Sequence, residues 1–220
     1  DDGDLDLLSV STAEGGALVA HEFDDGEYLS SFVVDAELGN AYDIKSADLD
    51  GDGDLDLIAA LPQAGTVVWY ENKGARIFEQ KIVTNTAQWV LSAEPFDFNG
   101  DGNVDILTAS LHDHSVAWYE NDGNGSFAKT LVSNNVLGAF TATAVDIDAD
   151  DDLDILAASR DSNTIFLFEN KGEQLYKTIS IFQSADHVSD VRAADLDLDG
   201  DLDIVSTSYM DNSLRVFENT

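Results

Sequence analysis

Short apolar or alternating segments, separated by polar turns, run along the whole chain. In one representative stretch, residues 41–47 alternate between apolar and polar, 55–61 form a continuous apolar run, 66–71 are β-branched and aromatic, and 78–83 alternate again. The turns between these segments are rich in Gly and Asn, and no window has the spacing of an amphipathic helix. The pattern predicts short β-strands throughout, and therefore an all-β fold.

This pattern returns at a fixed interval of 49 residues. An acidic segment begins at Asp48, Asp97, Asp146 and Asp195, and a strand ending in Glu-Asn follows each of them. Four strands in a repeat of about 40–50 residues are typical of a β-propeller blade, which buries its faces against neighbouring blades. We therefore expect a single β-propeller domain over 1–220, built of four-stranded antiparallel blades. About five blades are represented, over residues 1–40 (partial), 41–88, 89–137, 138–186 and 187–220 (partial).

The strand before each acidic segment is expected to be the innermost of its blade. It is rich in Ala, which suits the crowded centre of a ring, and one copy contains Pro95, a residue that sheets tolerate at an edge. The fourth strand is then the outer edge, and it carries Lys81, Lys129 and Lys177. Lysine on an exposed edge strand discourages pairing with other chains.

The composition adds a strong constraint from charge. The chain has 44 acidic and 10 basic residues, a formal net charge of −34, and half of the acids lie in the acidic segments. So negative a protein is not expected to bind nucleic acid or anionic membranes. No apolar stretch is long enough for a transmembrane helix, which predicts no membrane insertion. The absence of cysteine excludes disulfides, thiolate metal sites and cysteine catalysis.

The acidic segments share the pattern Asp-x-Asp-x-Asp-Gly-x-x-Asp. Carboxylates at positions 1, 3 and 5 of a tight loop converge, and a backbone carbonyl at position 7 with a carboxylate at position 9 can complete an all-oxygen shell suited to Ca²⁺. Gly at position 6 permits the turn in three copies, whereas Asp151 stands there in the copy at Asp146, for which we expect weaker binding. Solvated acidic turns are the alternative, which the repetition disfavours.

These loops are predicted to hold four to five structural Ca²⁺ ions. A truncated first copy supplies Asp2, Asp4 and Asp6 and is expected to be incomplete. The predicted metal-binding residues of the four full copies are Asp48, Asp50, Asp52, Asp54 and Asp56; Asp97, Asn99, Asp101, Asn103 and Asp105; Asp146, Asp148, Asp150, Asp152 and Asp154; and Asp195, Asp197, Asp199, Asp201 and Asp203.

With these loops, and with the strand Trp69-Tyr-Glu-Asn72 and its copies, the chain resembles the FG-GAP/VCBS repeat family over essentially its whole length. That family comprises propellers related to integrin α-subunit heads and to several propeller lectins. The resemblance implies Ca²⁺ in a hairpin between the first two strands of each blade, usually within a seven-bladed ring. It also implies an extracellular or cell-surface location, with glycan or protein partners.

Both ends of the chain fall within predicted repeats. The chain begins inside an acidic loop and stops after the third strand of its last repeat. We therefore expect either a piece of a longer ring or terminal strands supplied by another molecule, which would be self-association through incomplete blades.

The loops that join one blade to the next vary most and are expected opposite the calcium hairpins. Trp89 and His187 occupy equivalent positions there, with Asn40 as a further counterpart, and Arg192 follows on an inner strand. An aromatic ring with polar neighbours can stack on a sugar or anchor a peptide, although Trp89 can also simply pack. These four residues are the predicted ligand-binding residues. Residues 112–114, which include two histidines, are interpreted as an ordinary polar turn.

We predict a secreted or surface recognition and adhesion module that Ca²⁺ stabilises and that binds a glycan or an extracellular protein. The chain has no nucleophile elbow and no phosphate-binding glycine loop, so no catalytic residue is predicted. Because a fold does not determine a function, two alternatives stay open. One is a propeller-based polysaccharide lyase or dehydratase, and the other is a purely structural repeat segment of a large surface protein.

Overall fold

The described part of the chain is entirely β. The structure, a computed structural model, describes residues 5–11, 15–172 and 175–219. Every regular element in these ranges is a β-strand, and the strands form five antiparallel sheets in chain order. The predicted all-β propeller architecture with repeats of about 49 residues is thereby confirmed.

Each sheet is one blade, and its strands are joined by short hairpins. Blade 1 has three strands (β1–β3), blades 2, 3 and 4 have four each (β4–β7, β8–β11, β12–β15), and blade 5 has three (β16–β18). The strands are β1 (Leu7–Val10), β2 (Leu18–Asp24), β3 (Glu27–Asp35), β4 (Asp43–Ala47), β5 (Asp56–Leu61), β6 (Thr66–Asn72), β7 (Phe78–Thr84), β8 (Val90–Phe96), β9 (Asp105–Ser110), β10 (Ser115–Asn121), β11 (Phe127–Ser133), β12 (Ala139–Val145), β13 (Asp154–Ser159), β14 (Thr164–Asn170), β15 (Tyr176–Phe182), β16 (Val188–Ala194), β17 (Asp203–Ser208) and β18 (Ser213–Phe217).

The first strand of each of blades 2 to 5 faces the centre. β4, β8, β12 and β16 contact one another from blade to blade. The fourth strands β7, β11 and β15 alternate between exposed and half-buried residues, as expected for an outer edge. Because neighbouring strands are antiparallel, the acidic hairpins lie at one end of the strands, and the loops between blades lie at the opposite end.

The hydrophobic core lies between the blades rather than inside any one of them. Trp69 of blade 2 packs with Ile106 and Phe127 of blade 3, and Trp118 of blade 3 packs with Ile155 of blade 4. Both tryptophans are almost completely buried, and burial of such large apolar surfaces is the main favourable contribution to folding. The middle strands of blades 2, 3 and 4 are buried on both faces because each of these blades lies between two others, whereas β18 of blade 5 alternates between half-buried and exposed residues. No helix capable of crossing a membrane occurs among the described residues.

Candidate functional site

Each acidic hairpin joins the first and second strands of its blade and is held by its own first carboxylate. In blade 2, the Asp48 carboxylate accepts hydrogen bonds from the backbone N–H groups of Gly51 (2.8 Å) and Gly53 (3.0 Å). Asp195 accepts the same two bonds in its hairpin. Asp97 and Asp146 also accept the N–H of position 6, but their second bond comes from position 5 instead of position 4. The loop backbone therefore wraps around its first aspartate.

The last aspartate of each hairpin is buried at the start of the second strand. The two oxygens of Asp56 accept the backbone N–H groups of Leu49 (3.1 Å) and Asn72 (2.7 Å), which ties the loop to the third strand. Burial raises the pKa of Asp56 and Asp154, and it raises the pKa of Asp105 to about 6. The same buried role in the other hairpins is taken by Asp105, Asp154 and Asp203.

The truncated first copy keeps one of these features. Asp6 accepts the backbone N–H of Phe23 at 2.9 Å, the same kind of bond that Asp56 makes to its own third strand. The other two residues predicted to bind metal in this copy, Asp2 and Asp4, lie outside the described residues.

Three of the hairpins bring acidic oxygens together at one point. In each of them, three carboxylates offer oxygens within 4.8 Å of one another, a donor set made only of hard, anionic oxygen. Carboxylates so close together repel each other unless a cation lies between them. The residues present therefore fit a divalent metal ion. The clusters are Asp48, Asp50 and Asp56; Asp146, Asp148 and Asp154; and Asp195, Asp197 and Asp199.

The hairpin at Asp97 uses amides where the others use carboxylates. Asn99 stands at position 3, and its Nδ2 donates to the carboxylates of Asp101 (3.2 Å) and Glu120 (3.2 Å). Asn103 stands at position 7, and its backbone N–H donates to Asp101 and lowers the pKa of that carboxyl. This hairpin, all of whose residues the structure describes, forms no converging trio of acids.

Two positions of each hairpin adopt a left-handed backbone. At position 6 the φ angle is 94° at Gly53 and 70° at Asp151, so the hairpin at Asp146 reaches the expected turn without glycine. Position 4 is also left-handed, and there the last two hairpins carry Ala149 (φ 56°) and Leu198 (φ 65°). L-residues are strained in this region. The prediction from sequence concerned position 6 only.

A glutamate from the third strand lies beside the loop and is not among the predicted residues. Glu71 is buried and forms ion pairs with Lys73 and with Lys81 (3.0 Å). Its pKa is lowered to about 2, mainly by the hydrogen bond from Lys73. Burial, followed by a hydrogen bond with Glu71, raises the pKa of Asp50. Glu169 in blade 4 is likewise paired with two lysines. The signal that could have found these residues is the Glu-Asn pair that ends each third strand.

The loops between blades carry three of the four predicted ligand residues. Trp89 is 36% exposed, has a φ of 60°, and stacks on His112 with the ring centroids 4.8 Å apart. His187 is also left-handed (φ 52°), and its Nδ1 lies 3.0 Å from the Asp186 carboxylate. The turn that contains His112 thus has an aromatic partner that the sequence did not reveal.

The other two predicted ligand residues are placed differently. In the loop before blade 2, the left-handed residue is Gly39 (φ 84°), and Asn40 follows it as a half-buried residue. Arg192 lies on β16 at the central channel, where its guanidinium contacts the carboxylates of Glu94 (3.2 Å) and Asp190 (3.4 Å). The loop residues and the channel residue therefore belong to two different surroundings.

Antiparallel four-stranded sheets that repeat around inner strands, each with an acidic hairpin after its first strand, define a propeller-type repeat protein. Three overlapping stretches of the chain, residues 48–108, 97–157 and 146–206, match the FG-GAP-like repeat. Together they cover more than half of the chain, which therefore belongs to the FG-GAP-like repeat family.

Two solved structures are similar to this chain in fold. The Vibrio cholerae biofilm matrix protein Bap1 has a TM-score of 0.62 and 23% sequence identity, over 97% of this chain and 34% of its own. An auxiliary nutrient-binding protein from Bacteroides ovatus has a TM-score of 0.55 and 13% identity, over 95% of this chain and 58% of its own. At these identities the likeness shows the fold alone, and the chain spans only part of either protein. No match was found among curated proteins.

Proposed function

We propose that this chain is a Ca²⁺-stabilised recognition module of an extracellular or cell-surface protein, formed as a single propeller domain that binds a glycan or a protein. The observation that carries the proposal is the convergence of carboxylate oxygens in three repeated hairpins. Membership of the FG-GAP-like repeat family supports the Ca²⁺ assignment. The two structural neighbours, a biofilm matrix protein and a nutrient-binding protein, support an extracellular setting.

Ca²⁺ suits these hairpins because it accepts six to eight oxygen ligands in flexible geometry. Each cluster offers three carboxylates, and backbone carbonyls and water can supply the rest. The three clusters account for three ions, and a fourth ion depends on the hairpin at Asp97, where two asparagines replace carboxylates. A fifth ion depends on Asp2 and Asp4, which the structure does not describe.

Thermal unfolding with Ca²⁺ and with excess EDTA tests the calcium assignment. At a Ca²⁺ concentration 100-fold above Kd, each site adds about 2.7 kcal/mol to the free energy of unfolding. We therefore expect chelation to lower the melting temperature by more than about 10 °C. The double variant Asp146→Asn/Asp148→Asn should lose part of this shift, whereas Glu37→Gln, an exposed acid outside the hairpins, should keep it. A melt that EDTA leaves unchanged would contradict the proposal.

The recognition role is supported by Trp89 and His112 on the face opposite the hairpins. The residue equivalent to Trp89 in blade 4 is Gly138, the residue type normally found at positive φ. A bulky residue in that conformation is an outlier, and outliers of this kind concentrate at functional sites. Stacked on an exposed histidine, the indole offers an aromatic surface on which a sugar or a peptide side chain can pack.

Binding to a glycan array and to immobilised extracellular proteins tests this role. We expect Trp89→Ala to weaken binding at least tenfold without lowering the melting temperature by more than a few degrees. Tyr28→Ala, which removes an exposed aromatic residue of blade 1, is the matched control. Release of unsaturated sugar from a bound polysaccharide would instead favour the lyase alternative.

A further inference from the structure

The central channel is lined by polar residues at matching positions of the inner strands. These strands, whose other residues are mostly apolar, present charged or hydroxyl side chains at two levels that are two residues apart. The first level consists of Asp43, Ser92, Thr141 and Asp190, and the second of Lys45, Glu94, Thr143 and Arg192. Because these residues come from four different blades, their meeting depends on the arrangement of the blades around the channel.

An ion-pair network joins three blades across this channel. The carboxylate of Glu94, which is nine-tenths buried, contacts Lys45 Nζ (3.3 Å) and accepts hydrogen bonds from both terminal nitrogens of Arg192 (3.2 Å each). Lys45 also contacts Asp43 (3.1 Å), and Arg192 also contacts Asp190 (3.4 Å). The five charged groups leave the network with one net negative charge.

A cavity of about 200 Å³ lies against this network. Tyr42 and Phe140 contribute aromatic surface from two blades, with ring centroids 6.0 Å apart. Ser92 also lines the cavity, and its Oγ is buried without a hydrogen-bond partner. Buried hydroxyls nearly always have a partner, and rotation about the Cα–Cβ bond can turn this hydroxyl towards a ligand.

The chemistry of the cavity favours an uncharged ligand with many hydroxyl groups. Both cations already face carboxylates, so an anionic ligand would have to compete with Glu94 and with the negative potential of a chain of net charge −34. Hydroxyl groups need no such exchange, because carboxylates, guanidinium and ammonium keep free hydrogen-bonding capacity when paired. The volume is below the roughly 300–1,000 Å³ of pockets for drug-sized ligands, which suits a single sugar ring.

We propose that the channel cavity between Ser92, Glu94, Arg192 and the Tyr42–Phe140 pair binds one neutral sugar residue. This inference rests on the proposed recognition function and names its ligand class and a second site, separate from Trp89. Neutral hydroxyl groups satisfy Ser92 and bridge the acidic and basic side chains, while an aromatic ring packs against the apolar face of the sugar.

Saturation-transfer NMR titrations of the Ca²⁺-loaded protein test the proposal. The probes are D-glucose, D-galactose and D-mannose, with D-glucuronic and D-galacturonic acid as charged counterparts. We expect at least one neutral hexose to bind, and to bind more tightly than the uronic acids. Ser92→Ala should weaken its binding about 3–10-fold and Arg192→Gln about tenfold or more. Ser206→Ala, which removes a buried unpartnered hydroxyl outside the cavity, should leave the affinity unchanged.

Three results would overturn the inference. The first is that a uronic acid binds more tightly than any neutral hexose. The second is that the hexose affinity is unchanged in both Ser92→Ala and Arg192→Gln. The third is that no hexose binds at all. Hexose binding that is lost in Trp89→Ala but kept in both channel variants would reject the channel site and leave the proposed recognition function standing.

Discussion

The hairpins at Asp48 and Asp97 fold alike but carry different charge. In both, the first aspartate accepts the N–H of a glycine at 3.0 Å, and the last aspartate accepts an N–H from the third strand at 2.7 Å. The first hairpin has five acids, whereas the second has three acids and two asparagines. The first and last aspartates therefore shape the hairpin, whereas the acids between them are not needed for its backbone conformation.

The residue at position 3 determines how the negative charge of each hairpin is balanced. In the hairpin at Asp97, the Asn99 amide donates to two carboxylates and so stabilises negative charge on both sides. In the hairpin at Asp48, position 3 is Asp50, which can donate only if it is protonated and which lies beside Glu71. The proposed Ca²⁺ ion would stabilise the negative charge of this hairpin, as the amide of Asn99 does in the other. We therefore expect the two hairpins to respond differently to Ca²⁺.

Removal of the last aspartate should have the largest effect. Asp56→Ala and Asp105→Ala each leave two backbone N–H groups without their acceptor. Each buried unsatisfied group costs about 1–3 kcal/mol, so we expect the free energy of unfolding to fall by about 3 kcal/mol or more in both variants. In Ca²⁺ the loss should be larger for Asp56, because only that residue belongs to a converging acidic cluster. Urea unfolding in Ca²⁺ and in EDTA measures both effects.

A matched control separates this role from a general effect of removing an acid. Asp52 is exposed, and its carboxylate accepts the N–H of Asp54 (2.9 Å). Asp52→Ala should therefore reduce the free energy of unfolding by less than about 1 kcal/mol in EDTA. Losses in EDTA that differ widely between Asp56→Ala and Asp105→Ala would show that the two hairpins do not share a scaffold.

An exchange of amide and carboxylate at position 3 should have an intermediate effect. Asn99→Asp removes the donors that hold Asp101 and Glu120, so we expect a loss of about 1–2 kcal/mol in EDTA that Ca²⁺ restores. Asp50→Asn should do the reverse and reduce the dependence of its hairpin on Ca²⁺. The measurement is the difference in melting temperature between Ca²⁺ and EDTA, which should widen in the first variant and narrow in the second.

An Asn→Asp substitution outside the hairpins is the control for Asn99→Asp. Asn135→Asp adds a carboxylate to an exposed loop on the opposite face and should leave the Ca²⁺-dependent difference unchanged. If Asn99→Asp behaves like Asn135→Asp, the position-3 side chain takes no part in binding Ca²⁺.

The sequence predicts the propeller and the acidic hairpins because both follow from a repeated pattern within single blades. It does not predict contacts that need two blades or distant segments. The stacking of Trp89 on His112 joins a loop to a turn of the next sheet, and the pairing of Glu94 with Arg192 spans the channel. Period and spacing place such residues on the same level, but the distance between them depends on how the blades are arranged.

Backbone conformation is a second property that the pattern shows only in part. Glycine marks a left-handed position, and this signal correctly identified position 6 of the hairpins. It fails where another residue adopts the same conformation, as Ala149 and Leu198 do at position 4. The equivalent residues of the first two full hairpins are Gly51 and Gly100, and these glycines could have identified position 4 from the sequence.

We expect the smallest effect from substitutions at position 4, where the hairpins carry either glycine or another residue in the left-handed conformation. Leu198 has a φ of 65° and is 86% exposed, so Leu198→Gly relieves backbone strain and loses little buried surface. We expect the free energy of unfolding to rise by about 1 kcal/mol, or the melting temperature by about 2–4 °C. Gly51→Leu in the hairpin at Asp48 should lower the free energy of unfolding, because a Cβ added there meets no atom within 4 Å and the left-handed backbone is therefore the main penalty.

Leu196→Gly is the control for this pair, because Leu196 has no left-handed φ and its N–H donates to Asp203 (3.1 Å). Glycine there should destabilise the protein by about 0.5–1 kcal/mol through the entropy of the unfolded chain. Thermal unfolding of the three variants in Ca²⁺ measures whether the left-handed conformation at position 4 is strained for residues other than glycine. If Leu198→Gly were as destabilising as Leu196→Gly, strain at position 4 would be negligible, and the glycines of the first two hairpins would need another explanation.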